Sequence, residues 1–324
     1  MPRATVSHSL PLTLAMALTL VLCTNVVTAE PSPLRWDRSE SSVALVRGQQ
    51  IIWQFNHGAT LDVPYFHPLS TGGGRVLTWD QPPDHAWHHG LWFGWKYING
   101  VNYWEHDRQT GKPAGRTETT GVQVETRDDH SARLLLALAY HAGGDEEVVL
   151  RERRRIDISA PNAHDEYTLD WTAQFTAGNG SVELDRTPPK EQSWGGYAGL
   201  SVRFAKALGD RQASSDQGPV QFGPGDRHRS RASSIDYSGV IDGDRVGMAI
   251  LDHPDNPRHP TPWYIIRSPV TGYMNAALLN DEPMTIEPGG RMTLRYRVIV
   301  HPLRWDAARL KTEQTRFLQS SPSF

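Results

Sequence analysis

Cysteine is all but missing from this 324-residue chain, which has one, Cys23. It falls in an N-terminal stretch that reads as an export signal. Arg3 gives a short basic start, Leu10 to Cys23 an apolar run, and Val27-Thr28-Ala29 the small residues ahead of an expected cleavage after Ala29. Leu22 stands before Cys23 where lipidation wants a small side chain, so the expectation is a periplasmic or secreted, unlipidated chain covering residues 30–324. Without a thiol, that chain has no disulfides, thiolate nucleophiles, zinc–thiolate sites or iron–sulfur clusters. After the signal no apolar run approaches the roughly 20 residues a spanning helix needs, so stable membrane insertion is not expected. Lysine is scarce as well, five of 33 basic residues. The arginine bias suits two-pronged contacts with carboxylates and is equally a mark of genomic composition. With Arg3 removed, 32 basic residues face 36 acidic ones for a formal charge of −4, and there is no basic tail or recognition motif, so nucleic acid is not an expected partner. Gly72-Gly73-Gly74 is not followed by Gly-Lys-Ser/Thr, which excludes a nucleotide cofactor of that type, and no GxSxG elbow offers a serine nucleophile.

Helix signals are nearly absent too. Val43 to Val46 and Ile51 to Phe55 read as an opening hairpin, and Val122 to Thr126, Arg133 to Tyr140 and Val148 to Ile158 as further strands. Tyr167, Leu169, Trp171, Ala173 and Phe175 alternate with polar residues, the period of a half-buried antiparallel strand. Leu200 to Phe204, Val246 to Ile250 and Met292 to Val300 continue the theme, residues 209–234 read as an exposed loop or irregular hairpin, and one helix is expected over Ala307 to Gln319. Many short strands with no repeat or linker predict one all-β domain, an antiparallel β-sandwich with a short C-terminal helix.

Against these absences stands one concentration. Tyr65 to His106 holds five of fourteen histidines (His67, His85, His88, His89, His106) and five of eleven tryptophans (Trp79, Trp87, Trp92, Trp95, Trp104). Imidazoles titrate near neutrality and bind metals, while indoles offer flat apolar faces, so the stretch points to a small-molecule site. His85, His88 and His89 follow two prolines on a stiff loop. They could hold a divalent ion such as Zn, Mn or Ca, although adjacent His88 and His89 would point to opposite faces of an extended segment. Without metal the same imidazoles suit general acid–base work, with Glu105, Asp84 or Glu191 as carboxylate partners. Trp87, Trp92, Trp104 and Trp263 could stack on sugar rings, and Arg203 and Arg258 could clamp a carboxylate.

The run from Pro82 to Gly94, PPDHAWHHGLWFG, with Tyr65-Phe66-His67-Pro68, Lys190-Glu191, Gly199 to Arg203 and Asp252 to Pro257, resembles the PmoA-like family. The resemblance implies a supersandwich similar to galactose mutarotase and a setting in sugar breakdown. It also implies that His67, Lys190, Arg203 and His253 bind substrate, with His253 and His259 forming the opposite wall of the pocket. Gln192-Ser193-Trp194 interrupts the family's Lys-Glu-Gly-Gly run. The leading expectation is a carbohydrate lyase, hydrolase or epimerase with His85, His88, His89 and Glu191 as catalytic candidates and a sugar, glycoside, sugar acid or oligosaccharide as substrate. The rivals are a non-catalytic carbohydrate-binding protein and, from the family name, a metal-dependent oxygenase with two histidines and a carboxylate on iron.

Overall fold

Alternation writes most of the architecture. In the computed structural model, which describes residues 1–5, 33–143, 147–189 and 194–320, the chain divides into two units, Met1–Ser32 and Pro33–Phe324, and every strand belongs to the second. Cys23, the expected cleavage site, Lys190 and Glu191 lie outside the described residues. Among the described residues the strands form two nine-stranded sheets and one of four strands, and every pairing is antiparallel.

The first large sheet runs, edge to edge, through Leu34–Arg38, Ser42–Arg47, Gln50–Asn56, Tyr65–Leu69, Leu91–Gly94, Gly199–Phe204, Gly272–Ala276, Pro262–Arg267 and Arg227–Arg231. The second is centred on Tyr167–Ala177 and Arg291–His301, paired over ten residues. Their facing sides share one core, where Phe93 meets Phe175 (5.4 Å) and Phe204 stacks on Tyr237 (4.2 Å). This is the expected all-β antiparallel sandwich, and the expected helix is Ala307–Ser320. That helix lays Leu310 and Phe317, with Trp305 before it, on the outer face of the second sheet against Leu251 and Ile299.

Residues 209–234, expected as an exposed loop or irregular hairpin, do contain a hairpin, in which Gly209–Ser215 turns back as the short edge strand Gly218–Pro219 of the second sheet. Farther along, Arg227–Arg231 is an edge strand of the first sheet, where only part of each side chain is covered, and its composition is accordingly polar. Pro262–Arg267 and Gly272–Ala276 are strands as well, almost wholly buried because both of their faces are covered, so apolar residues do not alternate with polar ones.

What matters for function is the outer face of the first sheet. Period two sends Phe66, Phe93, Val202, Trp263, Ile265 and Met274 into the shared core. Their neighbours Tyr65, Trp92, Tyr264 and Tyr273 go to the other side, where with Trp104 they form a separate aromatic cluster.

Candidate functional site

The loop before Leu91–Gly94 crosses this outer face and is tied to the sheet at its ends. Trp79 N–H donates to Arg203 O (2.9 Å), Arg203 N–H to Gly90 O (2.7 Å), and Gly90 N–H to Trp79 O (3.0 Å). Gly90 has φ +57°, and a Cβ there would stand 2.3 Å from the Phe66 carbonyl oxygen, so only glycine lets the loop close so tightly. Within the loop, His85 N–H donates to Pro82 O and His88 N–H to His85 O. These turns bring the two imidazoles face to face, 4.6 Å between centroids and 28° between planes.

Both rings line a cavity of about 450 Å³, within the range of small-molecule sites. Aromatic surface comes from Trp87, Trp104, Trp194, Tyr197, Tyr264 and Tyr273, and polar groups from Glu105, Arg203, Arg227 and Thr271. Trp194 is 52% exposed at the rim.

Charge is arranged in linked pairs. The buried Arg203 gives one Nη2 to both oxygens of Asp84 (2.8 and 2.7 Å), and Asp84 Oδ2 lies 3.0 Å from His85 Nδ1. Burial works to raise the Asp84 pKa, but the bonds from Arg203 and His85 outweigh it and hold the carboxyl below its usual range. An ionised carboxylate only accepts, so His85 donates from Nδ1, and in the neutral ring the bare nitrogen is Nε2. His88 lies against Tyr273 (5.3 Å) and Trp92 (5.0 Å), with Nδ1 buried and unpartnered among the described residues. Burial first, then the proximity of the His85 ring and the Arg203 guanidinium, push its pKa well below the ordinary imidazole value, so His88 is neutral.

Across the cavity Glu105 accepts from Tyr197 Oη (2.8 Å) and Asn102 Nδ2 (3.0 Å) and touches Lys96 Nζ. Burial draws the Lys96 amine down to about 8, while contact with the Glu105 carboxylate favours its ammonium form.

Of the residues expected at the site, His85, His88, Trp104 and Arg203 line the cavity, as do Asp84's neighbour Trp87 and the carboxylate of Glu105. Trp92 packs beneath His88. His89 turns away from the cavity and bonds Asp80 (2.9 Å), which also accepts from Tyr65 Oη (3.1 Å), and His67 bonds Thr78 (3.0 Å). His67 and His89 therefore form a separate group, as the opposed directions of His88 and His89 require. The triad His85, His88 and His89 does not converge, and among the described residues no three His, Cys, Asp or Glu side chains are grouped to hold a metal ion. Among the described residues the donor set does not fit the expected divalent ion.

Trp263 and His253, expected at the pocket, lie elsewhere. Trp263 is in the core with Nε1 on Ala232 O (2.9 Å), because its parity along the strand is opposite to that of Tyr264. His253 meets Phe317 of the terminal helix edge-on (5.5 Å), and His259 is bound to buried Asp252 (2.7 Å). Arg258 donates to carbonyls of Leu278, Glu282 and Pro283. The opposite side, the floor of the cavity, comes instead from Arg227, Tyr264, Ile266 and Tyr273, of which only Tyr264 and Ile266, two apart on one strand, share a face legibly in the sequence.

Comparison with known proteins changes the family assignment. One family model matches residues 42–314, that of a family of unknown function, DUF6807. This match overturns the resemblance to the PmoA-like family and removes the ground for the oxygenase reading. No curated protein matches the chain. Among solved structures the chain is similar to a putative aldose 1-epimerase from Klebsiella pneumoniae, with 8% identity over 87% of this chain and 84% of that one and a TM-score of 0.45. A galactose mutarotase related enzyme from Lactobacillus acidophilus is 9% identical over 85% and 99%, with a TM-score of 0.39. An α-galactosidase from Lactobacillus brevis is 10% identical, with a TM-score of 0.41, over 82% of this chain but 39% of its own, so the chain spans about two fifths of that enzyme's length.

Proposed function

Given that the chain belongs to DUF6807, a family of unknown function, we propose from the chemistry of its cavity that it is a carbohydrate-active enzyme working by proton transfer on a sugar or glycoside. The observation that carries this is the line Arg203–Asp84–His85 at the edge of an aromatic cavity, with neutral His88 stacked on His85. Asp84 fixes the His85 tautomer, so Nε2 takes a proton from a sugar hydroxyl, or from a carbon beside a carbonyl, and returns it to the departing or re-forming oxygen. The neutral ring of His88, its Nδ1 buried, stacks on His85 and holds that ring in place. Indole and phenol faces cover the apolar faces of the ring. Glu105, already accepting from Tyr197, Asn102 and Lys96, is a poor base and holds those donors in place at the cavity wall.

The test is incubation with a panel of glycosides, oxidised glycosides and uronides, with products followed by NMR. Turnover should fall at least about 100-fold in His85→Ala and less in Asp84→Asn, with near-UV circular dichroism unchanged. Full turnover in both variants would sink the mechanism. The exposed Trp194 at the rim would serve a binding protein equally well, and sugar binding without product in the wild type would establish that second reading.

A further inference from the structure

Four strands contribute one residue each to the floor of the cavity, in a single row across the sheet. Arg203 pairs with Tyr273, Tyr273 with Ile266, and Ile266 with Arg227. All four side chains line the cavity. At roughly 4.8 Å per strand the row sets the two arginine backbones about 14 Å apart, so a guanidinium stands at each end of a floor made of Tyr273 and Ile266.

The two ends differ in charge. Arg203 is neutralised by Asp84 at 2.7 Å, and Glu105, the acidic residue that lines the cavity, is in contact with Lys96. Arg227 is held by neutral groups only: its Nε donates to Tyr264 Oη (3.1 Å) and its Nη1 to Gly225 O (3.1 Å). Asp226, next in the chain, is turned to Arg267 at 3.5 Å. Among the described residues Arg227 has no carboxylate within ion-pair distance, and its Nη2 has no hydrogen-bond partner. A guanidinium fixed in orientation, facing a sugar-sized space and uncompensated among the described residues, is the arrangement that recognises an anion.

We infer that the cavity takes a sugar acid, its carboxylate on Arg227 and its reacting end toward His85, an inference that rests on the carbohydrate reading above. One uncompensated guanidinium matches one negative charge, and its terminal N–H groups match the two oxygens of a carboxylate. The doubly charged ester of a sugar phosphate would leave excess charge in an aromatic enclosure.

The experiment is isothermal titration of the wild type, Arg227→Gln, Arg227→Lys and the surface control Arg35→Gln. The ligands are glucuronate, galacturonate, their neutral parents glucose and galactose, and glucose 6-phosphate. The acids should bind the wild type and Arg35→Gln roughly 10- to 100-fold tighter than the neutral sugars. Arg227→Gln should bring acid and neutral sugar to parity, and Arg227→Lys, which keeps the charge but not the fork, should retain part of the preference. Thermal melts establish that each variant is folded, and the lysine variant carries the test if the glutamine variant is not. Neutral sugars binding as tightly as the acids would overturn this inference and leave the carbohydrate reading standing. Acid preference surviving in Arg227→Gln would overturn it too, as would glucose 6-phosphate binding tighter than both acids. If none of these sugars binds, both readings fall.

Discussion

His88 shows what burial does to a single imidazole. Because its folded-state pKa lies well below the ordinary 6.5, the unfolded chain takes up a proton first as the pH falls. Its contribution to stability is therefore complete above about 6.5 and shrinks below that by about 1.4 kcal/mol per pH unit until the folded-state pKa is reached. Urea unfolding of the wild type and His88→Gln at pH 7 and pH 5 checks this: the stability gap between them should narrow at the lower pH, and a constant gap would mean that the ring is not kept neutral. Much at this scale was legible beforehand. The opposed directions of His88 and His89 follow from backbone geometry, and His85 with His88 was within reach of the loop's composition. The link from Asp84 to Arg203 was not, because it joins positions 119 residues apart. Nor was the choice between Trp263 and Tyr264, since adjacent aromatics look alike until the strand's parity is known.

At the scale of elements, the terminal helix and the histidine loop occupy the outer faces of different sheets. The helix is held by Leu310 and Phe317, and its buried Glu313 is satisfied by Arg309 (3.1 Å) and Arg316 (2.6 Å). Phe317→Ala should cost about 3 kcal/mol in chemical unfolding, while sugar affinity at the cavity, measured well below the transition, should not change. His253→Ala should likewise leave affinity intact, and loss of binding there would return His253 to the site. The alternating strands Tyr167–Ala177 and Arg291–His301 were readable because each has one apolar face. On Val148–Ile158 alternation puts Arg151, Arg153, Arg155 and Asp157 on the outward face, while Glu152 and Arg154 are buried as a pair at 2.6 Å with Tyr140 Oη on Glu152. A charge satisfied by another charge in the core leaves no trace in hydropathy. The hydrogen-bonded pair Asp236 and His301, 2.8 Å apart and buried in the second sheet, is hidden from hydropathy too.

For the whole molecule, the sandwich was legible from strand count and turn spacing, and the cavity's location was not, because it depends on which strands become neighbours. Gly199–Phe204 lies between Leu91–Gly94 and Gly272–Ala276, partners more than 60 residues away in either direction. The expected cleavage after Ala29 makes Glu30 the first residue of the exported chain, and intact-mass measurement of protein recovered outside the cytoplasm should give that terminus; an uncleaved mass would remove the export expectation. The row Arg203, Tyr273, Ile266, Arg227 constrains how such a chain can diversify. A one-residue insertion or deletion in any of those strands would swap its floor residue for a core residue and turn the surface inside out. The floor can therefore change only by substitution, one position at a time. The rim at exposed Trp194, which belongs to none of those strands, is free to lengthen or shorten. Among relatives, floor residues should accordingly track the sugar that is gripped, and rim length should track whatever that sugar is attached to.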